Sequence, residues 1–451
     1  MAGELERPDA VTPTAAADRR VARAIGLCGG TIALAMVALA VVDARDRPVA
    51  FVAAALLAGA AYLVTLDLVG RLRRGDTRAL AICLVLAAAW RIPLLAAPPR
   101  LSTDVYRYVW DGRLQRLGED PYRVVPDDPA VAHLHTPVTR QLNNGWVPTI
   151  YPPGAELFFR AVTAVEESAR AMKAALVVCD ALVVLVVLRL LAAGGLSPWW
   201  VLAYAWNPLV ALEGAGNGHI DVLGTLAVAT IAWAVARKRR TVAALALSCA
   251  VGVKLVPIVL APLLWRRIRV RDAGAGLGLL AAFYLPFVRE GVVPFGSLGA
   301  YLAAWRFNGP LFAALVPLAS PTALAGIALL AGLAVATWAR TRWPDDSTAW
   351  AWPVAAALTL APCVYPWYLL WLTPFLYGPL TRPLAVWTVA VLPTYVALHL
   401  DRVHGSLGLP WWLVAAEYGA VIVAVPVTVR GRVRMREASA PLEAALAERD
   451  G

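Results

Sequence analysis

The chain has 451 residues, 60% of them hydrophobic and only 16% charged, with a formal net charge of +11. A soluble domain carries about a quarter charged residues, so this composition, with a mean hydropathy of +0.64, excludes a soluble globular enzyme and describes a polytopic membrane protein. Basic residues in such chains collect in cytoplasmic loops, so the positive balance records topology and gives no reason to invoke nucleic acid.

Residues 1–23 are polar, too long and too acidic for the n-region of a signal peptide, and are expected to form a disordered cytoplasmic tail. An all-α domain is expected over 24–430. A span needs roughly 20 apolar residues, and such runs lie near 24–42, 50–70, 79–97, 172–192, 198–213, 219–236, 273–289, 321–339, 348–363, 367–380, 383–400 and 410–429. That makes about 12 passes, followed by a basic cytoplasmic tail over 431–451. The five cysteines (28, 83, 179, 249 and 363) lie in or beside apolar runs without metal-ligand spacing and read as small core residues.

The arginines set the orientation. Arg19, Arg20 and Arg23 place the N-terminus in the cytoplasm. The groups around Arg71 to Arg78, Arg237 to Arg240, Arg340 to Arg342 and Arg430 to Arg436 then fall on the same side. Arg266, Arg267, Arg269 and Arg271 also belong there, so the intervening "TVAALALSCAVGVKLVPIVLAPLLW" (241–265) must return to its own side. A re-entrant hairpin of two short helices, broken between Gly252 and Pro257, is expected; such breaks are tolerated where they line a cavity. Lys254 sits near its tip, facing water or an anion, or else snorkelling to the interface.

This topology puts the long loop 98–152 outside the cytoplasm, with "LEGAGNGH", "YLAAWRFNGP" and "VYPWY". The cytoplasmic face has no Walker motif and no GxGxxG after a strand, which speaks against nucleotide-driven transport. The stretch "LSTDVYRYVWDGRLQRLGEDPYRVVPDDP" (101–129) concentrates six carboxylates with arginines and aromatics. Ser102 or Thr103 caps a helix running to about Leu117, stopped by Gly118 and Pro121. Asp104, Tyr108, Asp111 and Gln115 share its polar side, opposite Val105, Val109 and Leu114, so an amphipathic helix on the membrane surface is expected. Asp104 would stay ionised at the helix N-terminus and suits a general base at the membrane edge, or is a plain first-turn carboxylate. Arg107 and Asp111 have the i, i+4 spacing of a salt bridge. His133 and His135 read as loop histidines, and no metal site is expected.

Further along, "TIYPPGAELFF" carries Tyr151 and Glu156 at a helix start or a re-entering loop. "NPLVALEGAGNGHIDVL" gathers Glu213, Asn217, His219 and Asp221 at a span end, for hydrogen bonds to a phosphate or sugar or for glycine-permitted packing. Arg306, with Asn308 beside it, is a candidate phosphate ligand in an aromatic loop. Trp367 and Tyr368 in "CVYPWYLLWL" belong to an interfacial aromatic belt or stack on a sugar.

With "VGVKLVPIVLAPLLW" these motifs, in this order over roughly residues 80 to 380, resemble the GT-C class of membrane glycosyltransferases. They look more specifically like the actinobacterial polyprenol-phosphate-mannose-dependent mannosyltransferases. The resemblance implies a GT-C fold in the cell membrane, with the active site on its extracytoplasmic face. It implies an inverting transfer, without cofactor, from a polyprenyl-phosphate sugar (mannose by default) to a glycan or glycolipid. Asp104 would be the base and Asp111 a supporting or acceptor-binding carboxylate. Lys254, His219 and Arg306 would contact the donor phosphate. Arg107, Tyr108, Tyr151, Glu156, Glu213, Asn217, Asn308, Trp367 and Tyr368 complete the expected substrate site. The rival class, a secondary transporter or flippase, is expected to show an internal repeat, and none is visible.

Overall fold

The computed structural model describes residues 13–72, 75–288, 291 and 293–425. The tail expected over 431–451, and residues 1–12 of the N-terminal tail, lie outside the described residues. Among those described there is no β-strand, only one isolated bridge between Phe307 and Cys363. Three long helices come first, α1 (Pro13–Val41), α2 (Pro48–Arg71) and α3 (Thr77–Ala96). α4 (Asp104–Arg116) and α5 (Pro153–Val165) flank the long loop, and α6 (Ala169–Ala193) follows.

Among the described residues, six helices are long and apolar enough to cross a membrane: Ala17–Val41 within α1, α2, α3, α6, Pro321–Arg342 and Pro379–His404. The apolar helices Asp221–Ala236, Arg240–Val253 and Trp411–Val425 are shorter. Where whole spans were expected near 198–213, 348–363 and 367–380, the chain instead makes short pieces. Pro198–Val201 and Pro366–Phe375 are 3-10 turns, and Leu212–Asn217 is a π-turn. Prolines at 198, 208, 353, 366 and 374 remove backbone donors, so the apolar runs continue while the α-helical ladder does not.

Residues 240–272 double back. Helix Arg240–Val253 stops at Lys254, whose backbone is extended, and a 3-10 segment follows over Val256–Leu264. Pro257 and Pro262 explain why the second arm is not α-helical. Thr241 donates to Asp272 at 2.6 Å, and Arg340 donates to the Trp265 carbonyl at 3.1 Å. The two ends of the excursion and the end of Pro321–Arg342 therefore gather together, with Lys254 at the far tip.

α4 differs from the amphipathic surface helix expected of it. Its bounds and its N-cap at Thr103 agree with the sequence, but its polar face is buried with its apolar one, including Arg107, Asp111 and Gln115. The Arg107 guanidinium pairs with Asp111 at 3.0 Å, and Gln115 donates to Glu156 of α5 at 2.9 Å. These contacts pair the Arg107 and Asp111 charges and the Gln115 amide N–H away from water, so the helix serves as a wall. α5 meets helix Arg240–Val253 at a glycine pair: a Cβ on Gly154 would lie 2.6 Å from the Gly252 carbonyl oxygen.

Two buried charges join the long helices. Arg91 of α3 pairs with Asp180 of α6 at 2.5 Å, and Tyr204 donates to the same carboxylate at 2.8 Å. Lys173 donates to the carbonyls of Leu94 and Ala97 at 2.9 and 2.6 Å. Those are end-of-helix acceptors that the Pro98-Pro99 exit from α3 leaves open. Removing one partner of a buried pair leaves an uncompensated charge, at a cost of roughly 3–5 kcal/mol. Arg91→Ala should therefore lower the detergent melting temperature sharply. Arg402→Ala, which breaks only an exposed pair with Asp46, should change it little. Comparable melting of the two variants would contradict this account.

Candidate active site

A cavity of about 810 Å³ opens between the first loop, the tip of the doubled-back segment, the loop around 301–307 and the aromatic turn at 365–371. Asp104 stands on its wall. Leu101 donates its N–H to Asn217 at 3.0 Å, fixing the approach, and Ser102 Oγ accepts from the Asp104 N–H at 3.2 Å. The Asp104 carboxylate accepts from Asn143 at 2.7 Å. Burial pushes this carboxyl above the usual aspartate range; the Asn143 hydrogen bond and the charge of Lys254 pull it partly back. Position at a helix N-terminus alone predicts the opposite direction, and desolvation outweighs it here.

Lys254 lines the same cavity as Asp104. Its ammonium donates to Asp221 at 2.6 Å, and the Trp371 indole N–H donates to the same carboxylate oxygen at 2.6 Å. It also sits 4.0 Å above the Tyr368 ring, a cation–π contact. The Tyr368 and Tyr301 hydroxyls meet at 3.1 Å. Phe307, Tyr365, Trp367 and His219 form one continuous stack, at 4.7, 4.6 and 4.1 Å between successive centroids, and the first three of them line the cavity. Gly224 makes room for this: a Cβ there would fall 1.9 Å from the Trp371 ring.

Of the residues the sequence singled out, Asp104, Arg107, Tyr151, Lys254, Trp367 and Tyr368 line the cavity. Asp111 of α4 and Glu156 of α5 are fully buried outside the cavity lining, with Thr149 donating to Glu156 at 2.7 Å. Tyr108 is buried against Phe159 at 4.5 Å, its hydroxyl 3.5 Å from that of Tyr151. Arg306 is turned away from the cavity and donates to the carbonyls of Leu302, Ala303 and Trp305 on its own helix end. Asn308 donates to Glu417 at 2.9 Å, holding helix Trp411–Val425. Glu213, Asn217 and His219 sit beneath Asp104, outside the cavity lining. His135 stacks on Trp110 at 4.0 Å, a structural loop histidine.

The sequence reading missed Asn143 and gave Asp221 no role of its own. Asn143 lies in an Asn-Asn-Gly turn, a signal for chain reversal that says nothing of a carboxylate 39 residues away. Asp221 is 33 residues from its lysine, beyond any local spacing rule. Tyr301, Phe307 and Tyr365 also line the cavity, and Arg45 stands at its rim.

A family model described as alpha-(1->6)-mannopyranosyltransferase, N-terminal domain, matches residues 24–268. Alpha-(1->6)-mannopyranosyltransferase A of Mycobacterium tuberculosis is 27% identical over 373 residues, covering 72% of this chain and 70% of that protein. A Mycolicibacterium smegmatis protein described as a probable alpha-(1->6)-mannopyranosyltransferase is 54% identical over 37 residues, 8% of this chain and 7% of its own length. No solved structure matches the chain.

The raised Asp104 carboxyl has a direct chemical readout. Hydrophobic carbodiimides react with protonated carboxyls, so Asp104 should still be modified at a pH where it is spared in the denatured chain. Asn143→Ala removes a hydrogen bond that favours the carboxylate, so its modification curve should move to higher pH. Peptide mass mapping across pH checks both, and matching curves for Asp104 in the folded and denatured protein would refute the burial argument.

Proposed function

The chain belongs to the alpha-(1->6)-mannopyranosyltransferase family, and from that membership we propose that it moves mannose from a polyprenyl-phosphate donor to the 6-hydroxyl of a mannoside acceptor, with Asp104 as general base. The observation that carries this reading is one cavity holding a half-buried carboxylate and an ammonium beside an apolar wall. Ile258, Val259, Ala325, Ala328 and Leu329 line that wall, which suits an isoprenoid chain. Sugars pack their apolar faces against aromatic groups, and the rings of Tyr365, Trp367 and Tyr368 line the cavity.

The chemistry balances on these groups. Asp104 takes the proton of the acceptor hydroxyl as that oxygen bonds to the anomeric carbon. The bond from that carbon to the phosphate oxygen breaks, and polyprenyl phosphate leaves with the electron pair. An ammonium has three donors; Lys254 gives one to Asp221 and keeps the others for the departing phosphate, where charge develops. A single inversion converts a β-linked donor into an α-mannoside, in keeping with the family's linkage. Asp111, paired with Arg107, stiffens the wall that carries the base.

The same reading makes residues 24–430 a GT-C membrane domain between cytoplasmic tails, its broken segments counted among about 12 passes. Residues 241–265 are then re-entrant, and loop 98–152 and the cavity face away from the cytoplasm. With purified protein in lipid, Asp104→Asn should cut transfer by roughly 10²–10⁴-fold without loss of donor binding. Lys254→Ala should raise the donor KM. Near-normal turnover of a well-folded Asp104→Asn protein would reject the assignment of the base.

A further inference from the structure

His219 is 1% exposed and lies behind the cavity wall, with Trp367 stacked on it at 4.1 Å and 12°. It is thus screened from any phosphate in the cavity. Its Nδ1 is 3.8 Å from Oδ2 of Asp104, and its Nε2 is 3.2 Å from Oε2 of Glu213. Neither ring nitrogen makes a hydrogen bond of good geometry. Buried polar atoms are rarely left so, and two on one ring require a reason.

The backbone builds this juxtaposition. In a regular α-helix, residues six apart point about 120° away from each other. Leu212–Asn217 is a π-turn, closed by the His219 N–H donating to the Glu213 carbonyl at 2.9 Å. Gly218 reverses the chain at φ +72°, and a Cβ there would lie 2.7 Å from Cγ of Lys173. The wide turn brings Glu213 and His219 to one side, and π-turns of this kind recur at functional sites. Glu213 is fully buried; Tyr395 donates to one of its oxygens and Asn217 to the other. Tyr395 lines the cavity again. A continuous line of groups therefore leaves the cavity at Asp104 and returns to it at Tyr395.

We propose that His219 and Glu213 form a proton relay that resets Asp104 during turnover, an inference that rests on Asp104 being the base. The Asp104 O–H bond breaks as the His219 Nδ1–H bond forms. The Nε2–H bond of the same ring breaks as a Glu213 O–H bond forms. Asp104 is a carboxylate again, Glu213 is neutral, and no other reactant is consumed. Between turnovers Glu213 passes its proton to the Tyr395 oxygen as the Tyr395 proton moves to cavity water, and His219, left protonated on Nδ1, regains its Nε2–H tautomer by proton exchange with water admitted as product leaves. The 3.8 Å gap is about 1 Å too long for a hydrogen bond; catalytic contacts commonly tighten when substrate binds. Lys254 and Asp221 act on Asp104 from the cavity side, while Tyr395 and Asn217 act on Glu213. His219 and Glu213 are positioning and relay residues, since neither touches the substrate.

The test uses the full-length protein in lipid nanodiscs, with polyprenyl-phosphate mannose and a mannoside acceptor. His219→Ala should lower kcat by roughly 10²-fold, with both KM values changed less than about twofold. Added imidazoles should restore the rate in proportion to their basicity, whereas thiophene, a ring of similar size without a basic nitrogen, should not. Glu213→Gln should show the same loss and no rescue. Unchanged kcat in His219→Ala, or rescue by thiophene as good as by imidazole, overturns the relay. Should His219→Ala fail to fold, wild-type kcat in mixtures of H2O and D2O decides. A curved dependence on deuterium fraction reports several moving protons and supports the relay, and a linear one overturns it. Asp104→Asn is run alongside. Full activity there defeats the base assignment, while loss there with a normal His219→Ala protein defeats only the relay.

Discussion

The ion pair of Lys254 with Asp221, at 2.6 Å, is the contact on which the rest of the cavity depends. A lysine at membrane depth is costly unless it is paired or meets an anion. Here it ends a helix, pairs with the first turn of helix Asp221–Ala236, and shares its acceptor with Trp371 of the aromatic turn. Three separate stretches of chain are thereby fixed around one charge. Its cation–π contact holds Tyr368 of the same aromatic turn, whose hydroxyl reaches a fourth stretch, the 301–307 loop, through Tyr301. Placing the charge at the tip of a doubled-back segment means that the broken helix ends face a cavity rather than lipid, the condition under which such breaks are tolerated.

Around this centre the fold trades helical regularity for shape. The long helices α1, α2, α3 and α6 hold one another with buried clamps such as Arg91 with Asp180, far from the cavity. The short pieces, namely the π-turn at Leu212–Asn217 and the 3-10 turns at Val256–Leu264 and Pro366–Phe375, break the helices around the cavity, and the π-turn carries the buried Glu213 and Asn217. Each lies next to a proline or glycine that interrupts the α-ladder. Glycines at close approaches, Gly154 against Gly252 and Gly224 against Trp371, let these irregular pieces pack without voids.

The same division explains what was legible in the sequence. The regular spans are visible because hydropathy and length report them directly. The doubling back of 241–265 is visible because arginines at both its ends demand one side. The broken spans near 198–213 and 367–380 are hidden, because hydropathy does not distinguish a straight apolar helix from a folded one. Asp104 is legible through its cap residues and its loop, whereas Asn143 is not, because only tertiary packing brings the two together. Arg306 misleads for a plain reason. Arginine among aromatics has the composition of a phosphate site, but this guanidinium is consumed by the carbonyls that end its own helix. The polar face of α4 misleads similarly, since Arg107 with Asp111 and Gln115 with Glu156 satisfy one another away from water.

Charge balance would link Asp104, as the proposed base, to the departing phosphate of the proposed donor. Asp104 and Asp221 bring two carboxylates to the neighbourhood of one ammonium, Lys254. A sugar phosphodiester adds a further negative charge, and the phosphate released from it carries up to two. If Asp104 takes the acceptor proton as the phosphate departs, the total charge stays constant while its centre moves from the carboxylate toward Lys254. Burial that raises the Asp104 carboxyl makes this proton uptake more favourable, so the desolvation opposing ionisation at rest assists the step in which charge moves. A relay through His219 would then return negative charge to Asp104 from Glu213. That return is best tolerated after the phosphate has left Lys254, which places the reset with product release rather than with bond making.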